Sequence, residues 1–113
     1  MTNYNAEIES ILARLNVPFS FLHYEGKANT FITYMQIDKD NSFAGDDEII
    51  SIVQNYDFDI YSKGNYLTIV DQLINLMVEA GWTYQPSRDS PDMYEADTKF
   101  YHKTICFAKE SEV

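Results

Sequence analysis

The sequence predicts an α+β fold: a two-layer sandwich in which an antiparallel sheet of about four strands carries two helices on one face, in the order α-β-β-α-β-β. Two stretches repeat their apolar residues with a helical period, and longer stretches between and after them alternate as strands do. The 113 residues suffice for one hydrophobic core, so the whole chain, 1–113, reads as a single domain.

The first helix is predicted from Asn5 to Leu15, where Ile8, Ile11, Leu12 and Leu15 fall on one stripe and Glu7 and Glu9 favour the positive end of the helix dipole. Pro18 ends it. Phe19, Phe21 and Leu22 then form either a short extended piece or a hydrophobic hook that pins the helix to the core. Thr30 to Ile37 alternates, with Phe31, Thr33, Met35 and Ile37 on one side and Ile32, Tyr34 and Gln36 on the other. Asp38 to Asp47 breaks this pattern and reads as a polar loop.

A second strand runs from Glu48 to Ser62. Its even positions, Ile50 to Ile60, make the better core face, and Ser51, Val53, Asn55, Asp57 and Asp59 make the wetter one. A strand that long spans about 50 Å, so a bend or bulge is expected near Gln54–Asn55. Lys63-Gly64-Asn65 makes a turn into the second helix, Tyr66 to Ala80, whose stripe is Ile69, Leu73, Leu76, Met77 and Ala80. Gly81 stands where a left-handed helix stop belongs. Trp82 to Gln85 is a short strand, and Pro86 to Glu95 is turn-rich. Asp97 to Lys109 is the last strand, with Phe100, His102, Thr104, Cys106 and Ala108 on one face and Tyr101, Lys103, Ile105 and Phe107 on the other. Residues 110–113 are expected to form a disordered tail.

Composition narrows the function classes. Eight basic against eighteen acidic residues give a formal charge of −10, which disfavours binding through phosphate neutralisation or to an anionic membrane. No stretch reaches the roughly 20 apolar residues of a membrane span, and the N-terminus lacks the features of a signal peptide, so folding in the cytoplasm is expected. A single cysteine, Cys106, forms no internal disulfide and no cysteine-built zinc site.

Catalytic patterns are absent from the sequence. Asp38, Asp40 and Ser42 begin an EF-hand register, but Phe43 replaces its glycine and Ile49 its closing glutamate. His23 and His102 have no metal-site spacing, and Cys106 reads as a small buried thiol. Asp57 and Asp59 share a strand face without the pocket that acid–base work needs. No enzyme activity, metal or cofactor is therefore expected. What stands out is the charge of one stretch: Asp38, Asp40, Asp46, Asp47, Glu48, Asp57 and Asp59, with Lys39 the one base among them. Such an edge is either a solubilising face or a functional one.

The run Tyr56-Asp57-Phe58-Asp59-Ile60-Tyr61-Ser62-Lys63-Gly64-Asn65-Tyr66 resembles the central strand-to-helix segment of the tail-terminator proteins of long-tailed, non-contractile bacteriophages, also called tail-completion or head–tail joining proteins. The stretch from Asp92 to Lys103, an acid-rich turn leading into an aromatic-His-Lys strand, resembles that family's closing strand. With the first helix and strand, the resemblance covers nearly the whole chain. It implies a structural protein of the virion, assembled in the cytoplasm of a host bacterium. There it forms a ring, commonly of six subunits, at the head-proximal end of the tail. The ring caps the tube, stops its polymerisation and meets both the tail tube protein and the head connector, while DNA passes through without specific binding.

Geometry permits this. A globule of this length is about 34 Å across, so six in a ring leave a hole of about 34 Å and four only about 14 Å, against roughly 20 Å for duplex DNA. The acidic residues Asp38–Glu48, or the Asp57 and Asp59 strand, are expected to face the channel, where they would keep phosphates from sticking. Tyr101 and Phe107, expected as exposed aromatics on the second sheet face, are the candidate ring contacts; the alternative is that they close a local core. A rival function is a small acidic inhibitor that mimics DNA, or an adaptor that binds a basic surface.

Overall fold

The computed structural model describes residues 3–43 and 49–112. Its elements are α1 (Asn5–Leu12), β1 (Phe19–Phe21), β2 (Thr30–Phe43), β3 (Ile49–Ser62), α2 (Leu67–Glu79), β4 (Thr83–Tyr84), β5 (Met93–Glu95) and β6 (Phe100–Glu112), with short 3-10 turns at Ala13–Leu15 and Pro86–Arg88. The fold is α+β as expected, but the sheet has six strands instead of four, and the order is helix, three strands, helix, three strands. The sheet runs β1-β2-β3-β6-β4, with β5 also on β6. Phe19–Phe21, open between strand and hook, is a strand lying parallel to Ile32–Tyr34; the remaining pairs are antiparallel.

Alternation along β2, β3 and β6 builds the core. Ile32 and Tyr34 face Ile60 and Phe58, which in turn face Lys103 and Ile105, with Tyr56 opposite Phe107. These side chains meet Ile8 and Leu12 of α1 and Val70, Leu73 and Met77 of α2 in one apolar cluster, so both helices lie on the same side of the sheet. Phe58 is the centre of it, its ring 6.1 Å from Tyr34 and 5.5 Å from Phe107.

Local chemistry sets the helix ends. The Asn3 carboxamide oxygen accepts the Asn5 N–H at 2.8 Å, and Asn65 does the same for Leu67 at 3.1 Å. Gly81, at φ 93°, ends α2 in the left-handed region. Beside it, the Trp82 indole N–H donates to Glu7 Oε1 at 3.0 Å. Lys109 Nζ reaches the same oxygen at 3.4 Å and the Ala80 carbonyl at 3.1 Å, tying α1, the end of α2 and β6 together.

The structure corrects further expectations. Asp38–Phe43 is strand, because Asp38, Lys39 and Asp40 pair with Asn55, Gln54 and Val53, and a backbone ladder forms there without apolar side chains. Glu110 and Glu112 are not a frayed tail: they pair with Val53 and Ser51, while Val113 lies outside the described residues. The bulge falls at the level expected but in the partner strand, where the register shifts between Gln36 and Asp38 opposite Tyr56 and Asn55. Phe107 is not an exposed contact; it is fully enclosed between Phe58, Tyr84 and the helices, whereas Tyr101 is 39% exposed near the strand's start. The long strands also make the molecule 53 × 26 × 23 Å instead of a sphere.

Phe107→Ala is expected to cost about 3–5 kcal/mol by removing a fully packed ring, and Tyr101→Ala less than about 1.5 kcal/mol. Urea unfolding followed by circular dichroism measures both; equal costs would contradict the placement of the two rings.

Candidate functional site

The sheet face opposite the helices carries most of the chemistry. It is built in cross-strand rows, because residues paired on β2, β3 and β6 point the same way. The first row is aromatic: Phe31, Tyr61 and His102 are in register. With Tyr24 from the preceding loop they form a continuous stack, with centroids 4.3, 4.8 and 4.1 Å apart. Gly26 lies close against the outer end of the Tyr24 ring, so a Cβ there would force that ring to shift.

The next rows are polar. Thr33, Asp59 and Thr104 align, and Asp59 takes a hydrogen bond from Thr104 and shares one with His102 Nε2 at 3.0 Å. Burial alone would raise the Asp59 carboxyl, but the bonds to His102 and Thr104 outweigh it and hold the group below its ordinary value. Met35, Asp57 and Cys106 form the row after that. Asp57 is pushed up, first by burial and then by the charge of Asp59. The Cys106 thiol is raised to about 11 by burial and by Asp57, the opposite of the activation a nucleophile needs.

Past the bulge come Asp38 with Asn55 and Ala108, then Asp40 with Val53 and Glu110. Asp38 accepts from the Asn55 carboxamide and from Arg88 at 3.1 Å; the Asn55 bond leads in lowering its carboxyl below the usual range. Asp40 and Glu110 are exposed.

Of the seven acids singled out, Asp38, Asp40, Asp57 and Asp59 are therefore brought onto one face, whereas Asp46, Asp47 and Glu48 lie outside the described residues. Part of this charge is compensated: Asp38 is bridged to Arg88, and Asp59 is hydrogen-bonded to His102 and Thr104. Alternation groups His102, Thr104 and Cys106 on one side of β6, but the other side, with Tyr101 and Phe107, is the one expected to be helix-free; the structure reverses this, because Ile105 and Phe107 pack under the helices. Glu110, expected in a tail, and Arg88, in a turn-rich segment, are not anticipated at this face. Cys106 and His102 stand four residues apart on one strand, about 13 Å, so they do not form a nucleophile–base pair. Among the described residues no group of three or more histidine, cysteine, aspartate or glutamate side chains is placed to hold a metal ion, and no helix is long and apolar enough to cross a membrane.

A scan against protein-family models finds no match to this chain, and a search of curated proteins finds none at a significant level.

The two neighbouring aspartates are expected to respond oppositely to amidation. At neutral pH Asp59→Asn lowers stability by on the order of 1 kcal/mol, because it weakens a charge-assisted network, while Asp57→Asn raises stability by removing an ionised group that the fold disfavours. As pH falls, the Asp57 benefit fades from its raised value down to the ordinary carboxylate range. The Asp59 loss persists further into acid, until its depressed carboxyl is protonated. Thermal melts of both variants across pH 3–8 check the sign and the order of convergence.

Proposed function

We propose that this chain is a ring-forming structural protein at the head-proximal end of a long, non-contractile phage tail. Copies of it, six on the resemblance described above, cap the tube, stop its growth and join it to the head connector, while DNA passes through the hole without specific binding.

The observation that carries this reading is the division of the sheet. Its helix-free face holds the row of acids, and different apolar residues are exposed toward its two flanks: Phe21 and Leu22 at the β1 side, Tyr94 and Tyr101 at the β5–β6 side. A ring needs a heterologous contact, one patch meeting a different patch on the next copy, and two unlike patches toward opposite flanks supply that. Tyr101 thus keeps the contact role expected of it, now with Tyr94, against which its ring lies at 4.9 Å. In this arrangement the helices face outward, and Asp40, Asp57 and Glu110 face the passage.

The dimensions restrict how the copies stand. Six units of 53 × 26 × 23 Å set side by side, long axis along the ring axis, leave a hole of about 20–29 Å; with the long axis pointing inward they leave none. Only the first lets a duplex of roughly 20 Å through without greatly widening the ring.

Sedimentation velocity over a wide concentration range tests the proposal. Six copies of the 13.1 kDa chain give a species of about 79 kDa. Leu22→Glu and Tyr94→Glu are expected to abolish it, whereas Asp40→Lys is expected to preserve the ring but make it retain duplex DNA at low salt. A species that stays monomeric at every concentration, and also when added to purified tail tubes, overturns the ring. If that monomer instead displaces DNA from a basic groove, the inhibitor reading takes its place.

A further inference from the structure

We propose that the outer edge of β2, from Gln36 to Asn41, is a docking site for an extended polypeptide segment bearing lysine or arginine at alternate positions. The proposal stands on the sheet edge and a groove beside it, and does not depend on the ring.

The edge is open for a definite reason. β1 pairs with β2 only over Ile32–Tyr34. Leu22 then adopts φ 64°, and the His23 N–H bonds back to the Phe21 carbonyl at 2.7 Å, a tight turn that carries the chain off the sheet. Among the described residues no strand pairs with the edge of β2 away from β3 past Tyr34, although β2 continues to Phe43. On its outer side this segment therefore presents backbone donors and acceptors, the arrangement that takes up an added strand.

Alongside it, where the helical layer stops, is a groove of about 320 Å³ lined by Asn3, Asn5, Gln36, Lys39, Gln54 and Tyr56, with Phe21 at its wall. Its carboxamides suit the polar groups of a peptide, and they lie on the helix side of β2 because Lys39 pairs with Gln54. On the opposite side of the same segment stand Asp38 and Asp40. A strand added here would thus place one set of alternate side chains at a carboxamide-lined groove and the other beside two carboxylates.

Charge chooses the occupant. A second copy pairing through this edge would set Asp38 and Asp40 against the same residues of its partner, and like charges directly opposite destabilise a strand pair. A basic strand meets Asp40 favourably, since Asp40 is exposed, whereas Asp38 is already held by Arg88 and Asn55.

The test uses the intact chain, isotope-labelled, and a blocked seven-residue peptide alternating lysine and valine. Amide hydrogen exchange is read by NMR, with glutamate-for-lysine and backbone N-methylated peptides as controls. Saturating lysine peptide is expected to slow exchange about tenfold or more at outward-facing amides between Gln36 and Asn41, and the N-methylated peptide is expected not to. Asp40→Lys is expected to weaken the lysine peptide by about fivefold and strengthen the glutamate peptide. Should that variant lose its fold, the comparison of the two peptides on the unaltered chain carries the same information. Unchanged exchange at these amides, or equal binding of lysine and glutamate peptides, overturns the site. Protection that rises with protein concentration alone overturns the choice of partner and assigns the edge to a second copy.

Discussion

β3 is hydrogen-bonded to β2 on one side and β6 on the other along most of its length, and this double pairing is the constraint on which the molecule rests. Since side chains alternate strictly along a strand, fixing β3 between two partners fixes three rows at once. Tyr56, Phe58 and Ile60 are driven into the core, and Asp57 and Asp59 are forced to the other face. A slip of one residue would put two carboxylates under the helices and three aromatic or aliphatic side chains in water. The burial of Phe58 and the placement of the acids are thus a single structural fact seen from two sides.

That fact carries a cost on the helix-free face. Placing Asp57 and Asp59 on neighbouring same-face positions sets two like charges near one another in partial burial. The molecule relieves one of them with His102 and Thr104 and leaves the other raised. His102 also closes the row of stacked rings begun by Tyr24, so the same imidazole serves the aromatic row and the acidic one. Arg88 plays the corresponding part for Asp38 further along, reaching in from a loop that follows β4. On this face Asp38 and Asp59 are thus held by partners, while Asp40 and Glu110 stay exposed.

Much of this was legible in the sequence because it depends on period. The stripes of both helices, the left-handed stop at Gly81 and the two faces of β3 follow from residue spacing alone. What was not legible depends on neighbours. Asp38–Phe43 and Glu110–Glu112 are strands because β3 offers a backbone to pair with, and polar side chains reveal nothing of that. The placement of Phe107 failed differently. Alternation grouped it correctly with Ile105, but Cys106 and Ala108 make the opposite face of β6 small and apolar too, so the pattern could not say which face met the helices. Among the candidate site residues, the aspartates were visible as a local excess of charge. Their partners Arg88, His102 and Thr104 come from segments about 43 to 50 positions away, and the pairings were not visible.

The knot formed by Glu7, Trp82 and Lys109 gives the molecule a built-in optical probe. Trp82 is the chain's sole tryptophan, nearly sealed from water, with Tyr4 and Tyr56 edge-on to it and the Lys109 ammonium over its face. Its emission therefore reports on the seam where both helices meet β6. Tyrosine signals from Tyr24 and Tyr61 arise on the far side of the sheet. Loosening of the helical layer against β6 would therefore register in the tryptophan emission, without any added label.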